Sequence, residues 1–120
     1  MAQKSVILRK LLKLEDFLPA NVFCLNEVKA RPNYEDGKPT GAIAGYVYTA
    51  TDTTLYTKIE IFVEHQKPLI TPEELAEKQD AGEPVFVEFT NAIIKPYYNS
   101  AMKCICDSIR AKSINFSVDV

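Results

Sequence analysis

The chain has no tryptophan, a single histidine, four glycines and three cysteines. No apolar run approaches the roughly 20 residues that a membrane-spanning helix needs. One histidine, His65, leaves little for imidazole catalysis or a histidine-rich metal site. Three thiols, Cys24, Cys104 and Cys106, make no even disulfide framework. Lys4, Arg9, Lys10 and Lys13 interrupt the apolar residues near the start, so no secretory signal is expected. A reducing, cytoplasmic setting with ordinary buried or half-buried thiols is the expectation. Cys104 and Cys106 should share one face of a strand, but a metal site would want more ligands. Neither a metal nor a cofactor is expected. Four glycines make no phosphate-cradling loop, and no nucleophile motif frames His65 with a serine and an acid. The sequence therefore reads as a binding protein rather than an enzyme.

What is present is enough apolar residue, 47% of 120, for one globular domain with a real core. The net charge of -2 is unevenly spread, because residues 1–58 and 89–120 each carry +2 while residues 60–88 carry -6. A near-neutral chain of this kind can present a positive face and a negative back.

Residues 5–18 place Ile7, Leu11, Leu14 and Leu18 at helical spacing, as an amphipathic helix or an extended edge segment ended by Pro19. A strand is expected over 22–30, then a turn-rich loop over 31–40 with Asp36-Gly37 at its tip. Strands over 40–50 and 54–64 complete an antiparallel meander. Thr71-Pro-Glu-Glu74 then starts a helix of about ten residues, with Thr71 as cap, Pro72 in the first position and Glu74 closing a capping box. Ile70 and Leu75 suit a hydrophobic staple, and Gly82 supplies the stop. A fourth strand follows from Val85, extended by Ile93 and Ile94. Residues 95–100 read as a loop and 101–110 as a fifth strand. Ile114, Phe116 and Val118 suggest a further short strand or a loose tail. The expected organisation is a segment over 1–20, a domain over 21–110 and a tail or extra strand over 111–120.

Three strands, a helix and two strands form the order of the OB-fold, a five-stranded Greek-key barrel with its helix between the third and fourth strands. An α+β sheet of another topology is the alternative. In the third strand Leu55, Ile59, Ile61 and Val63 should face inward, leaving Tyr56, Lys58, Glu60, Phe62 and Glu64 outward. In the second, Ile43 and Val47 inward would turn Tyr46 and Tyr48 outward, with Gly45 relieving crowding at a bend. Such a barrel binds ligands on the face of its second and third strands and the flanking loops. That surface would collect Tyr46, Tyr48, Tyr56 and Lys58, with Arg31, Tyr34 and Lys38 from one loop and Lys95, Tyr97 and Tyr98 from the other. All six tyrosines of the chain fall there. Single-stranded nucleic acid wants this mixture: rings stack on bases while cations offset phosphate, and neither reads base identity. Packing of the tyrosines within the fold is the competing reading.

The strand order, Gly41-Ala-Ile-Ala-Gly-Tyr-Val-Tyr48 and Pro84-Val-Phe-Val-Glu-Phe-Thr-Asn-Ala-Ile-Ile-Lys-Pro-Tyr97 give a chain that resembles the single-stranded DNA-binding OB-fold proteins. In particular it resembles the small ones carried by conjugative plasmids, integrative elements and phages of Gram-positive bacteria. The resemblance implies protection of single strands, of DNA and conceivably RNA, during replication, recombination or transfer. It also implies a homo-oligomer, for which Ile7, Leu11, Leu14 and Leu18 offer a surface; packing of that segment against its own barrel is the alternative. The chain departs from the replicative members in ending Ser117-Val-Asp-Val120, without an acidic tail and terminal Phe. A protein-interaction module on the same barrel is the second functional reading, and a carbohydrate-binding barrel a weaker third.

Overall fold

The computed structural model describes residues 12–18, 21–65 and 67–117. Among them are eight strands and one α-helix: β1 (Leu12–Lys13), β2 (Phe23–Glu35), β3 (Lys38–Asp52), β4 (Lys58–Val63), α1 (Pro72–Asp80), β5 (Phe86–Thr90), β6 (Ile93–Asn99), β7 (Cys104–Ala111) and β8 (Ser113–Phe116). The chain is thus mostly β with a single helix, and that helix lies between the third and fourth long strands as expected.

The barrel expectation is corrected. The strands form one open eight-stranded sheet in the order β1-β6-β7-β4-β3-β2-β5-β8, not a five-stranded barrel. The physical cause lies at Asn91, whose φ of 51° breaks the expected fourth strand. The two halves take different neighbours: β5 pairs with β2 and β8, while β6 pairs with β7 and β1. Two residues join β5 to β6, and so short a link spans only about 10 Å. Strands near opposite ends of the order are therefore tethered, and the sheet coils strongly. Among the described residues its outermost strands, β1 and β8, have two and four residues.

The two expected loops are also corrected, since both are strand. Asp36 and Gly37 take φ of 52° and 78°, which suits a two-residue hairpin turn matching the twist of its strands. Residues 31–40 therefore extend β2 and β3 into one long hairpin. Pro96 had marked 95–100 as loop. Yet among the described residues β1 pairs only with Ile93 and Ile94 of β6, so no described strand lies beside Pro96 on that side, where a missing N–H costs no ladder bond.

The helix follows its sequence signals closely. The Thr71 hydroxyl accepts from the Glu74 N–H at 3.1 Å and donates to the Glu74 carboxylate at 3.0 Å. Ile70 and Leu75 are both buried in the core. Gly82 adopts φ 74°, and the Glu83 and Gly82 N–H groups return to the Lys78 and Gln79 carbonyls, a Schellman stop. Gln79 fastens the helix to β2 by donating to the Asn26 carbonyl at 2.9 Å.

Leu14 follows β1 in a single 3-10 turn, Leu14–Asp16, and both Leu14 and Leu18 are buried in the core. They are thus withdrawn from the expected self-association surface, and Ile7 and Leu11 lie outside the described residues. Strand β8 realises the expected extra strand with Ile114 buried, while Val118 lies outside the described residues.

Strand β3 ends at Asp52, and residues 53–57 form the turn into β4. Leu55 and Tyr56 sit in that turn and are exposed, which corrects their placement on a strand. Asp52 is buried, and its Oδ2 accepts from the Thr54 and Leu55 N–H groups. Replacing Asp52 by Ala leaves both donors unpaired. We expect a loss of about 1–3 kcal/mol in urea unfolding; an unchanged midpoint would contradict this role for the carboxylate.

Candidate nucleic-acid interface

The phase of β3 decides which residues reach the outer surface. Tyr46, Tyr48 and Ala50 are buried, and Tyr48 is 0% exposed. The expectation that Tyr46 and Tyr48 face outward is therefore overturned, and neither can stack on a base. The reason is a satisfied hydroxyl. Tyr48 Oη accepts from the Leu69 N–H at 3.1 Å and lies 2.7 Å from His65 Nε2. Which of the two groups donates is set by the His65 tautomer. Burial pushes the Tyr48 hydroxyl pKa up, the Leu69 bond opposes this, and Tyr46 adds to the rise. Tyr46 packs edge-on against His65 at 5.5 Å between ring centres. Small neighbours, Ala44 and Ala50, leave room for the two phenols, and a buried tyrosine with its polar tip paired costs little.

With that phase, Gly45, Val47 and Thr49 belong to the outer face. In register, Gly45 stands opposite Arg31, Val47 opposite Lys29 and Phe62, and Phe62 opposite Arg110. Opposed residues share a face. The guanidinium carbons of Arg31 and Arg110 lie 4.9 and 5.0 Å from the Phe62 ring centre. Gly45 makes this possible. A Cβ there would come within 2.8 Å of two Phe62 ring atoms and would meet the Val63 carbonyl. The ring thus leans across the bare backbone of β3 to reach Arg31, while Arg110 covers it from β7.

Each guanidinium gains from the ring's negative face. Neither has a carboxylate within 4.0 Å among the described residues, where the ion pair found is Lys78 with Glu83. A groove of about 420 Å³ opens beside them, lined by Arg31, Tyr34, Phe62, Glu64 and Arg110. Two concentrated positive charges, a ring and a nearby exposed phenol can hold an anion next to a flat apolar group.

The expected site residues separate into three sets. Arg31 and Tyr34 line this groove. Lys58 shares the face of Phe62 by strand alternation. Lys95 and Tyr97 stand opposite Ser108 and Cys106, which share the face of Arg110, so both extend the outer surface. Lys38 sits beside the hairpin tip opposite Glu35. Tyr56 lies in the β3–β4 turn, 79% exposed, and Tyr98 points to the opposite side of β6 from Tyr97. The six phenols do not converge in one groove. Phe62, Lys29 and Arg110 are the outer-face residues left out of the expected set. Alternation had already turned Phe62 outward. Arg110 depends on the parallel pairing of β4 with β7, for which the sequence carries no local signal.

No helix among the described residues is long and apolar enough to cross a membrane. No cluster of three or more His, Cys, Asp or Glu side chains forms among them.

Burial lowers the His65 pKa from its ordinary value. The unfolded chain then binds the proton more readily than the folded one, so this residue's stabilising share is complete above about pH 6.5 and fades as pH falls toward the folded value. The melting temperature of the wild type should fall more between about pH 7.5 and 5.5 than that of His65→Gln. Parallel profiles would contradict the burial of His65 in the fold.

No family model, curated protein or solved structure matches the chain, so a reading of the groove rests on its own geometry.

Proposed function

We propose that the chain binds single-stranded DNA, largely without regard to sequence, along the outer face of β2, β3, β4, β7 and β6. One observation carries the reading: Phe62 held between Arg31 and Arg110, with no carboxylate paired to either among the described residues. Phe62 is only 9% exposed beneath the two guanidiniums, so it positions them rather than meeting a base itself, and guanidinium planes are surfaces on which unpaired bases stack. Arg31 and Arg110 offer donors to phosphate, and Lys29, Lys58 and Lys95 add cations on a face that also carries Glu60 and Glu64. Tyr34 at one end and Tyr97 at the other offer further rings.

The path of the chain supports the same reading. A three-strand meander, a helix and a last long strand parallel to the third follow the course of an oligonucleotide-binding fold, with β1 and β8 added and the fourth strand broken. Protection of transient single strands in replication, recombination or transfer of a mobile element is the role that the family resemblance adds. A second reading, a protein-interaction module, draws on Tyr98 and Ile105, which face each other across β6 and β7 and are 65% and 72% exposed.

Titration of a fluorescent oligo-dT at two salt concentrations tests the first reading. Binding should saturate and weaken as salt rises. Phe62→Ala, which removes the support under both guanidiniums, should weaken binding, and Arg31→Gln or Arg110→Gln should each lower the salt slope by about one. Tyr98→Ser should bind as the wild type does. Absence of binding at low salt, or unchanged affinity in both arginine variants, would overturn the proposal and favour the interaction module.

A further inference from the structure

Strand β7 opens with Cys104-Ile-Cys106, and the two sulfurs stand 3.8 Å apart. Cys104 is exposed and Cys106 half-buried. Alternation points both thiols to one side of the strand, as expected, but the exposure of Cys104 departs from the expected buried thiol. Cys24 takes no part in the contact. Beside the pair, a groove of about 520 Å³ is lined by Lys58, Met102, Cys106 and Asp107, among others. Met102 is itself 67% exposed in the turn before β7. Three sulfur-bearing residues thus fall within five positions at one end of the sheet, two of them, Met102 and Cys106, on one groove wall.

Two chemistries suit a close pair of thiols, and geometry separates them. A disulfide needs its sulfurs about 2.05 Å apart, with Cα atoms usually 4.4–6.8 Å apart. Alternate residues of a strand are spaced at about 6.4–6.8 Å, the far limit of that range. A bridging cation needs no such closure. At about 2.3 Å from each sulfur it would span the observed gap with an S–metal–S angle near 110°. Zinc commonly asks for four nitrogen, sulfur or oxygen ligands, and this chain brings only two thiols together here, without histidine. Thiolate and thioether donors together select copper(I).

We propose that Cys104 and Cys106, with Met102 as a third sulfur donor, bind one copper(I) ion at the start of β7. On binding, each thiol gives up its proton to solvent and forms one copper–sulfur bond. The metal stays monovalent, no electron moves, and the bis-thiolate centre carries one negative charge. The same groove wall carries Lys58 together with the carboxylates of Glu60 and Asp107. The hydrogen bond to Cys104, followed by burial and the charges of Cys104 and Asp107, raises the Cys106 thiol pKa. A thiol must lose its proton to bind a metal, so copper uptake should strengthen as pH rises.

The full chain, reduced and desalted under nitrogen, is titrated into the coloured copper(I) complex of bathocuproine disulfonate. The wild type should withdraw one equivalent, and Cys24→Ser should do the same. Cys104→Ser and Cys106→Ser should each lose that capacity, and Met102→Leu should withdraw copper only at lower chelator concentration. Failure of the wild type to withdraw copper would overturn the site, as would equal withdrawal by the double variant Cys104→Ser/Cys106→Ser. Met102→Leu equal to the wild type would remove the thioether from it. In a second arm, tetrahedral cobalt(II) bound at one ion per two chains would overturn copper(I) in favour of a zinc-type site shared between copies.

Discussion

The bond between the Tyr48 hydroxyl and His65 separates inside from outside in this molecule. A strand has only two phases, and a shift of one residue exchanges every side chain between core and surface. Burying Tyr46, Tyr48 and Ala50 commits β3 to one of them. The choice holds because the phenol's only polar atom finds two partners, His65 and the Leu69 amide, on the segment between β4 and α1. An unpaired hydroxyl in that position would cost on the order of 1–3 kcal/mol, enough to disfavour the arrangement. The same bond ties the connection between sheet and helix to the middle of the core.

Everything on the outer face follows from that phase. Gly45, turned outward, leaves a bare strip of backbone, and the ring of Phe62 lies over it. Arg31 and Arg110, far apart in sequence, then meet around one ring. Net charge is a poor guide to such a surface. The chain carries -2 overall, with its acids concentrated over 60–88. The local potential is set by the two guanidiniums together with Glu64 on the same groove wall, and it reaches roughly a Debye length, about 10 Å at 0.1 M salt. The proposed ligand, a polyanion with flat bases, is the chemistry that complements it. The thiol pair of β7 lies on the same face, where Cys106 stands opposite Tyr97.

Legibility in the sequence tracks how local each determinant is. The helix was readable from residues 70–82 alone, because cap, staple and stop are built from neighbours. The phase of β4 was readable too, since Ile59, Ile61 and Val63 alternate with polar residues. The phase of β3 was not. There the aliphatic Ile43 and Val47 compete with two phenols, and the partners that let a phenol go inside lie 17 and 21 residues further on. Proline misled in two places, Pro32 and Pro39 in the long hairpin and Pro96 in β6, past the residues paired with β1. Asp36-Gly37 was recognised as a tip, yet its meaning, a tight turn between continuous strands, outweighs the prolines around it. The break at Asn91, which opens the sheet and admits β1 and β8, has no sequence signature that distinguishes it from an ordinary strand residue.

The most direct test of the central claim is amide chemical-shift mapping of the isotope-labelled chain as oligo-dT is added at low salt. The account predicts that the largest changes fall in residues 29–34, 45–49, 58–62 and 106–110, with residues 72–80 of the acidic helix unmoved. Shifts confined to that helix, or none along β4 and β7, would contradict it.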